Sequence, residues 1–526
     1  MSEQYEQLDV LIVGAGISGI GMCYNLKKKR AHSAFAVIEG RENIGGTWDL
    51  FKYPGIRSDS DMYTFAYSFK PWTDREYIGS AERINHYLNE LVRDENLDQY
   101  MRFKQKVKAA NWDSKQNHWL VTVQRGDGSE YRIAAKFLSC CSGYYNYEQG
   151  YLPKFEGYKD FRGQIVHPQH WPEDLDYSGK RVIVIGSGAT AVTVVPAMAK
   201  KAAHVTMLQR SPSYVYSRPA SDILFRVLSR ILPAGLTNRI MRAKYTTLQQ
   251  MVFVLSKRYP NLVRKMVRKM NHKALAGAAD VDTHFKPNYN PWDQRMALVP
   301  DADLFNSVRS GKTTIVTEHI ERFTETGILL KSGEKIAADI IVPATGLDLQ
   351  LWGKMKLSVD GHAVEGKNLT NYKGMMFSQV PNFAWVFGYT NSSWTLKAEL
   401  TFDYICRLLE HMEQNGYQSV YPYRETDAKQ ESLVALQSGY VLRAVDKLPS
   451  QGSEFPWCNK DLYFKDVFAI KHSKLADEVL RFDDNAPLAQ FHQYKNDQLK
   501  PQSKINKPSP NAKNKTHNQS KTTSPA

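Results

Sequence analysis

The 526-residue chain has few cysteines and no long uninterrupted apolar stretch. The cysteines are odd in number and lack Cys-x-x-Cys spacing: Cys23, Cys140, Cys141, Cys406 and Cys458. This pattern argues against a disulfide framework, a redox dithiol and a structural zinc site, so we expect no metal. No apolar run reaches the roughly 18 to 20 residues that a membrane-spanning helix needs. We therefore expect a cytoplasmic protein without a transmembrane segment.

Acidic residues are absent from the stretch 226–273, which is rich in Lys and Arg. Its apolar residues, among them Met251, Val254 and Leu262, recur at helical spacing and predict amphipathic helices with a basic face. Such a face is either a solvated surface near a phosphate-bearing ligand or an attachment site for anionic lipid or nucleic acid. We favour the solvated surface, expect no nucleic-acid partner, and keep peripheral membrane contact through 226–273 as the alternative.

The C-terminal segment 491–526 is also nearly free of acids and of large apolar residues. It is rich in Lys, Ser, Asn, Pro and Thr, and it contributes with the stretch 226–273 to the net charge of +15. Such a segment cannot bury enough apolar surface to offset the entropy lost on ordering. The composition therefore predicts a disordered basic tail.

A glycine-rich fingerprint, Gly14-Ala-Gly16-Ile-Ser18-Gly19, follows an apolar run from Leu8 to Val13. The glycines permit a tight turn and a close approach of backbone to a pyrophosphate, which the following helix N-terminus stabilises. A second strand is predicted at 34–38 and ends at Glu39, where a carboxylate accepts hydrogen bonds from ribose hydroxyls. The strand, the glycines and the acid together predict a dinucleotide-binding fold.

A second fingerprint, Gly186-Ser187-Gly188-Ala189-Thr190-Ala191, follows a predicted strand at 181–185. The next predicted strand, 204–209, ends in Arg210-Ser211 where an acid would otherwise stand. A carboxylate there would repel a 2′-phosphate, whereas Arg210 can pair with it and Ser211 can donate a hydrogen bond to it. The second fold is therefore predicted to bind NADP rather than NAD, with an ordinary surface arginine as the alternative interpretation of Arg210.

The order of these patterns predicts an α/β protein with two Rossmann-like dinucleotide-binding domains and a helical insertion. Short alternating strands at 100–140 and 314–342 fit this discontinuous arrangement. The predicted boundaries are the following: 1–145 and 373–490 for the first domain, 150–213 and 288–372 for the second, 214–287 for the insertion and 491–526 for the tail.

The peptide before the second fingerprint carries a denser pattern, Phe-x-Gly-x-x-x-His-x-x-x-Trp followed by Pro or Asp. It is met by Phe161, Gly163, His167, Trp171 and Pro172. In this peptide the chain resembles the type I Baeyer–Villiger monooxygenases, within the wider flavoprotein monooxygenase class. A sequence of this kind identifies the class and carries no information on the substrate.

Further segments carry the same resemblance. A second family pattern, GGxWxxxxYPGxxxD, is met by residues 45–59, and a third, Ala-Thr-Gly, by residues 344–346. More closely, the segments CSGYYNY, HPQHWPEDLDY and NPWDQR are similar to the ethionamide-activating branch of the family. The resemblance extends from about Leu8 to about Phe482 and excludes the basic tail.

The resemblance implies FAD in the first fold and NADPH in the second. It also implies that one oxygen atom of O2 is inserted next to a ketone carbonyl, through a C4a-peroxyflavin, to give an ester or a lactone. Sulfoxidation of thioethers or thioamides is implied as a further activity, so the expected partners are O2 and a small ketone or sulfide. The alternative enzyme is a heteroatom-only flavin monooxygenase that oxygenates nitrogen or sulfur.

The resemblance matches the family's catalytic arginine to Arg295 and implies that Asp59 pairs with it; Asp293 is a second candidate partner. From the residues alone, Arg295 fits a structural ion pair equally well, and Asp59 fits the cap of a helix starting near Asp61. Gln294 stands where many family members carry a lysine for the 2′-phosphate, so the preference for NADPH over NADH depends on Arg210.

Four aromatic or imidazole side chains complete the predicted site. Trp48 and Tyr53 are expected to pack against the flavin, with ordinary core packing as the alternative. His167 and Trp171 are assigned to the coupling of the two domains rather than to catalysis. The remaining predicted cofactor-binding residues are Gly46, Thr47 and Val107, and the insertion and the segment 389–394 are expected to line the pocket.

Overall fold

The computed structural model describes residues 5–424 and 431–483, and the predicted tail at 491–526 lies outside the described residues. The strands in chain order are β1 Glu6–Val13, β2 Phe35–Ile38, β3 Met101–Arg102, β4 Gln105–Asp113, β5 His118–Arg125, β6 Glu130–Cys140, β7 Gln164–Ile165, β8 Arg181–Ile185, β9 His204–Gln209, β10 Val215–Arg218, β11 Ala297–Pro300, β12 Thr313–Thr317, β13 Ile320–Thr324, β14 Gly327–Leu330, β15 Lys335–Ala337, β16 Ile340–Pro343, β17 Lys356–Val359, β18 His362–Ala363, β19 Asn371–Tyr372, β20 Met376–Phe377, β21 Phe383–Trp385, β22 Val420–Pro422, β23 Glu431–Ser432, β24 Ser450–Gln451 and β25 Leu480–Phe482. The helices are α1 Ile17–Lys29, α2 Thr47–Leu50, α3 Met62–Phe65, α4 Ala81–Asp94, α5 Ala189–Met198, α6 Ile223–Ile231, α7 Ala234–Arg258, α8 Pro260–Leu275, α9 Val281–His284, α10 Asp303–Arg309, α11 Trp394–Asn415, α12 Gly439–Leu442 and α13 Tyr463–Asp466.

The first sheet has the order β18-β17-β4-β5-β6-β1-β2-β3, and β21 also pairs with β6. Strand β1 is central, parallel to β2 on one side and to β6 on the other, which explains why Val10, Leu11 and Ile12 are fully buried. Strands β4, β5 and β6 form an antiparallel meander whose inward face carries the buried Trp112 and Trp119. Burying an apolar side chain of this kind contributes about 1.5–3 kcal/mol.

The second sheet has the order β12-β9-β8-β16-β7, and all its neighbouring strands run parallel. Helix α5 follows β8 directly and buries an apolar face that includes Val192, Val195 and Met198. A first sheet with a parallel part around β1 and a fully parallel second sheet, both packed with helices, confirm the predicted fold class.

One predicted domain boundary is wrong. The segment 288–372 was assigned to the second domain, but β17 pairs in parallel with β4, from Lys356–Ala109 to Val359–Trp112, and so belongs to the first sheet. The chain therefore returns to the first sheet near residue 356. This pairing joins residues about 247 positions apart, and no local pattern in the sequence identifies the partner strand.

The insertion predicted at 214–287 is largely helical and contains α6, α7, α8 and α9. Its first residues are instead a strand, because β10 pairs in parallel with β11 and closes the base of the insertion. Helix α8 begins with Pro260 in its first turn, where the missing N–H has no helical partner to lose. In the part of the chain that the structure describes, no helix is long and apolar enough to cross a membrane.

Candidate functional site at the junction of the two sheets

Both glycine turns open into one cavity of about 1190 Å³. Its lining includes the turns after β1 and β8, the ends of β2 and β9, and segments that carry Asp59 and Arg295. The carboxyl ends of parallel strands are where open α/β sheets bind their ligands. The volume exceeds the roughly 300–1,000 Å³ of a typical small-molecule pocket, as a site for two dinucleotides requires.

Two glycines of the first turn, Gly14 and Gly19, leave no room for a side chain. Gly14 has φ +102, and a Cβ on it would lie 2.8 Å from the backbone oxygen of Cys141 at the end of β6. A Cβ on Gly19 would collide with the carbonyl of Gly14. Glu39 is buried beside the turn and accepts hydrogen bonds from the N–H of Ala15 at 2.7 Å and of Arg41 at 2.9 Å. The turn and the acid thus form one rigid cradle.

The second glycine turn has the same construction. Gly186 has φ +141, and a Cβ there would collide with the carbonyl of Ala344, so the Ala-Thr-Gly segment is the neighbour that this glycine accommodates. The Ser187 hydroxyl lies 2.8 Å from that of Ser213. Arg210 lines the cavity, is exposed, and forms no ion pair with any residue within 5–424 or 431–483. Its guanidinium therefore remains available to an anionic ligand.

Arg295 and Asp59 form a bidentate ion pair in the cavity wall. The Nε and Nη2 atoms of Arg295 lie 2.7 Å and 2.9 Å from the two carboxylate oxygens of Asp59. The two side chains are 31% and 28% exposed, so the pair faces the cavity rather than the packed interior. A fork of this kind fixes the plane of the guanidinium and leaves its other N–H groups free to donate.

Three tyrosines surround the Arg295 cation, and none of them was predicted as a site residue. Burial raises the pKa values of Tyr144, Tyr145 and Tyr440, so their hydroxyls stay protonated near neutral pH. Burial acts to lower the pKa of Arg295, but Asp59 and these tyrosines outweigh it, and the net pKa is raised. The cation is therefore permanent. The segment CSGYYNY contains Tyr144 and Tyr145, and its similarity to the family was the sequence signal that could have identified them as site residues.

The neighbouring acids have other partners. Asp61 caps α3 by accepting a hydrogen bond from the N–H of Thr64 at 2.9 Å, so the capping alternative for Asp59 is wrong. Burial raises the pKa of Asp61 to about 6. Asp293 pairs with Lys257 at 3.0 Å, so it is not the second partner of Arg295. Asp59 is the carboxylate that pairs with the cation in the cavity.

The two aromatic residues predicted to pack against the flavin, Trp48 and Tyr53, pack in different apolar clusters. Trp48 lines the cavity with Thr47 and meets the Phe65 ring edge-on, with centroids 5.5 Å apart. Tyr53 also lines the cavity, but it is buried in the apolar cluster of the second sheet, with its hydroxyl beside Thr190. A Cβ on the following Gly55 would lie 2.7 Å from Ala197, so this turn packs directly on α5.

The segment 389–394 lines the cavity as expected, through Tyr389, Ser392 and Trp394. The indole N–H of Trp394 donates to the hydroxyl of Ser18 at 2.8 Å, and its ring stacks on Tyr144 with centroids 5.6 Å apart. This contact links the first fingerprint to the tyrosines around the cation. Val107 and Gly46 also lie in the cavity wall.

The side chains of His167 and Trp171 lie away from the cavity. His167 accepts a hydrogen bond from the N–H of Gln169 at 3.2 Å, and its ring covers Gly150 so closely that a Cβ there would collide with it. Burial lowers the pKa of His167, which favours the neutral imidazole. Trp171 packs against the core of the second sheet. This peptide therefore contacts the chain that connects the two sheets, and the domain-coupling role stays a prediction.

The donor groups at the site suit organic cofactors. Backbone N–H groups, glycine cradles, one buried acid and an unpaired arginine are the groups that dinucleotides use. Among the residues that the structure describes, no group of His, Cys, Asp or Glu could hold a metal ion. Two glycine cradles that face one cavity define an enzyme class that works with two dinucleotides.

The comparisons with known proteins agree with this class. Residues 7–380 match the family described as flavin-binding monooxygenase-like, which is more than half of the chain, so the chain belongs to this family. It is 48% identical to the FAD-containing monooxygenase EthA of Mycolicibacterium smegmatis over 479 residues, which cover 91% of this chain and 97% of that protein. It is 47% identical to the probable FAD-binding monooxygenase AlmA of Acinetobacter baylyi, over 91% of this chain and 96% of that protein.

Solved structures share the fold. An oxidized steroid monooxygenase bound to NADP aligns with a TM-score of 0.71 at 21% identity, over 90% of this chain and 99% of its own. An open structure of cyclohexanone monooxygenase aligns with a TM-score of 0.67 at 20% identity, over 79% of this chain and 90% of its own. The resemblance to the flavoprotein monooxygenases drawn from the sequence is confirmed.

Proposed function

We propose that this protein is an FAD- and NADPH-dependent Baeyer–Villiger monooxygenase. It converts a ketone, O2, NADPH and a proton into an ester or lactone, water and NADP+, and it oxygenates thioethers or thioamides as a further activity. The observation that carries the proposal is the bidentate Arg295–Asp59 pair in a cavity shared by two glycine turns. The five cysteines are all free, which fits a cytoplasmic enzyme.

The first glycine turn would hold FAD. Its N–H groups would cradle the pyrophosphate at the start of α1, and Glu39 would exchange its bond to Ala15 for ribose hydroxyls. Thr47, Trp48 and Val107 would line the rest of the flavin site. Bound flavin, once reduced by NADPH, supplies the activation of O2; the protein orients the reactants and excludes water.

Arg295 and Asp59 would supply the fixed charge. Oxygen insertion next to a carbonyl passes through an anionic adduct of the substrate, and a preorganised cation lowers its free energy. Asp59 holds the guanidinium plane, and the protonated hydroxyls of Tyr144 and Tyr440 add donors near it. The pair therefore acts as a fixed electrostatic element, with no proton lost or gained by Arg295.

Arg210 would select NADPH over NADH. It is the free cation beside the second glycine turn, and Gln294 supplies no charge. Arg210→Ala should lower kcat/KM for NADPH by about 10- to 100-fold, since a charge-assisted hydrogen bond contributes about 1.5–3 kcal/mol. The value for NADH should stay unchanged and serves as the internal control. An unchanged NADPH/NADH ratio would remove Arg210 from the 2′-phosphate site.

Product analysis tests the reaction itself. The FAD-loaded protein is incubated with NADPH, air and either a simple ketone or a thioether, and the products are identified by gas chromatography with mass spectrometry. We expect an ester or lactone from the ketone and a sulfoxide from the thioether, with NADPH consumed in each case. Sulfoxide without any ester or lactone would replace the proposal with a heteroatom-only monooxygenase. Oxidation of NADPH with only hydrogen peroxide as product would reject both.

A further inference from the structure

Two helices of the insertion expose the same arrangement of apolar and basic side chains. On α6, Ile223, Val227 and Ile231 lie four residues apart on one exposed stripe, and Ile223 and Ile231 are 69% and 72% exposed. Arg226 and Arg230 are exposed on the adjoining stripe. Large apolar side chains are expected to be buried, so a continuous exposed stripe of them needs an explanation.

Helix α8 repeats the pattern. Leu262, Met266 and Met270 lie four residues apart and are exposed, and Met266 is 51% exposed. A row of exposed lysines lies beside them at the same spacing: Lys265, Lys269 and Lys273. The adjoining face, with Val263 and Val267, is the one that packs on the protein. The apolar residues of the exposed face therefore take no part in the packed core of the protein.

The charged residues of these helices are all basic. Residues 223–279 contain twelve Lys and Arg and no Asp or Glu. The acids that pair with some of these cations lie outside that range, as Asp282 does for Arg268 and Asp222 for Lys244. Within 5–424 and 431–483, the arginines of the α6 stripe and the lysines of the α8 row have no ion-pair partner. The surface thus carries an unneutralised positive potential.

Helix α7 connects this surface to the cavity wall. Its Gln249 donates to Asp61 at 2.5 Å and its Gln250 donates to Ser392 at 3.0 Å. Met251 and Val254 of the same two turns are more than half exposed. One helix therefore contacts the cavity wall through Gln250 and exposes large apolar side chains on another face.

We propose that the exposed faces of α6, α7 and α8 form a docking surface for an anionic lipid membrane. Helices that carry apolar and basic side chains on one face lie in the plane of the membrane, with the apolar groups among the acyl chains and the basic groups at the phosphates. Nucleic acid would engage the cations but would leave the isoleucines and methionines in water. The structure thus assigns to residues 223–273 a surface role that is separate from the oxygenation reaction.

Flotation of the FAD-loaded full-length protein with vesicles tests the proposal. Vesicles of phosphatidylcholine with and without 30 mol% phosphatidylglycerol, chosen as about a third anionic lipid, are compared at low and high salt. We expect binding to the anionic vesicles that weakens with salt. The triple change Lys265→Gln, Lys269→Gln and Lys273→Gln should weaken binding about 100-fold, since each cation contributes about fivefold. Failure to float with anionic vesicles at low salt overturns the proposal.

A matched control separates this surface from general charge. Lys331 and Lys335 are exposed on the turn after β14 and on β15, and Lys356 is exposed on β17; their change to Gln removes the same charge. This control should bind within about twofold of the unchanged protein, because its charges lie outside the docking surface. Equal loss of binding in the control and in the α8 variant overturns the proposal. Normal far-UV circular dichroism and FAD content confirm that each variant is folded.

An apolar variant separates lipid from nucleic acid. Ile223→Ser, Val227→Ser and Ile231→Ser change exposed side chains and should weaken vesicle binding at least tenfold, because apolar insertion contributes to interfacial binding. Binding of a short DNA duplex is measured in parallel by fluorescence anisotropy. Duplex binding as tight as vesicle binding, unaffected by the apolar variant, would assign the surface to nucleic acid and overturn the proposal.

Discussion

Arg295→Ala is expected to lower the rate of ester or lactone formation by about 10²- to 10³-fold, the usual cost of removing one preorganised charge at an anionic transition state. The substitution leaves Asp59 unpaired in the cavity wall and removes the cation that faces the cavity. FAD should remain bound, since Arg295 takes no part in the glycine cradle. Oxidation of NADPH should continue with release of hydrogen peroxide, and the ratio of product to NADPH consumed is the decisive measurement.

Two variants define what this result means. Arg268→Ala removes an equally close arginine–aspartate pair from the protein surface and should leave the rate of product formation within twofold. Arg295→Lys keeps the charge but loses the bidentate fork, so we expect an intermediate rate. Arg295→Ala with an unaltered ratio of product to NADPH would contradict the electrostatic role.

Gly14→Ala is expected to yield protein that has lost FAD, with an affinity for added FAD lowered by about 100-fold or more. The position has φ +102, where a non-glycine residue costs about 1–3 kcal/mol. The new Cβ would lie 2.8 Å from the Cys141 carbonyl, and overpacking of this kind costs about 1–3 kcal/mol more. The ratio of flavin to protein absorbance after purification and a fluorescence titration with FAD measure the loss.

Gly128→Ala is the matched control for the glycine variant. Gly128 also has a positive φ, +87, but a Cβ there meets no atom within 4 Å in the structure. This variant carries backbone strain without obstructing a cradle, so it should keep a full complement of FAD. Full flavin content in Gly14→Ala would show that FAD does not bind in the first fold.

The fold was predictable from sequence where its signals are local. A buried strand, a glycine turn and a helix lie within some 20 residues, and β8 and β9 begin and end at the predicted residues. The return of the chain to the first sheet at β17 was missed, because strand pairing over hundreds of residues leaves no periodic trace.

The site residues also fall into those that local sequence signals predict and those that depend on contacts between distant parts of the chain. The glycines, Glu39 and Arg210 follow from the chemistry of nucleotides, whereas the Arg295–Asp59 pair joins residues 236 positions apart and was implied only by the family resemblance. The tyrosines around Arg295 were missed because aromatic residues are equally at home in an ordinary core. The capping role of Asp61 shows how two acids two positions apart can take different tasks, which only the three-dimensional structure separates.

The Arg295–Asp59 pair also has a mechanical consequence. Asp59 is carried by the segment between α2 and α3, and Arg295 by the segment that enters β11, so the pair joins two segments that lie 236 residues apart in the chain. A relative displacement of these two segments by about 1 Å is enough to lose one of its two hydrogen bonds. The orientation of the cation therefore depends on how these two segments are aligned in the assembled molecule, and neither segment could provide it alone.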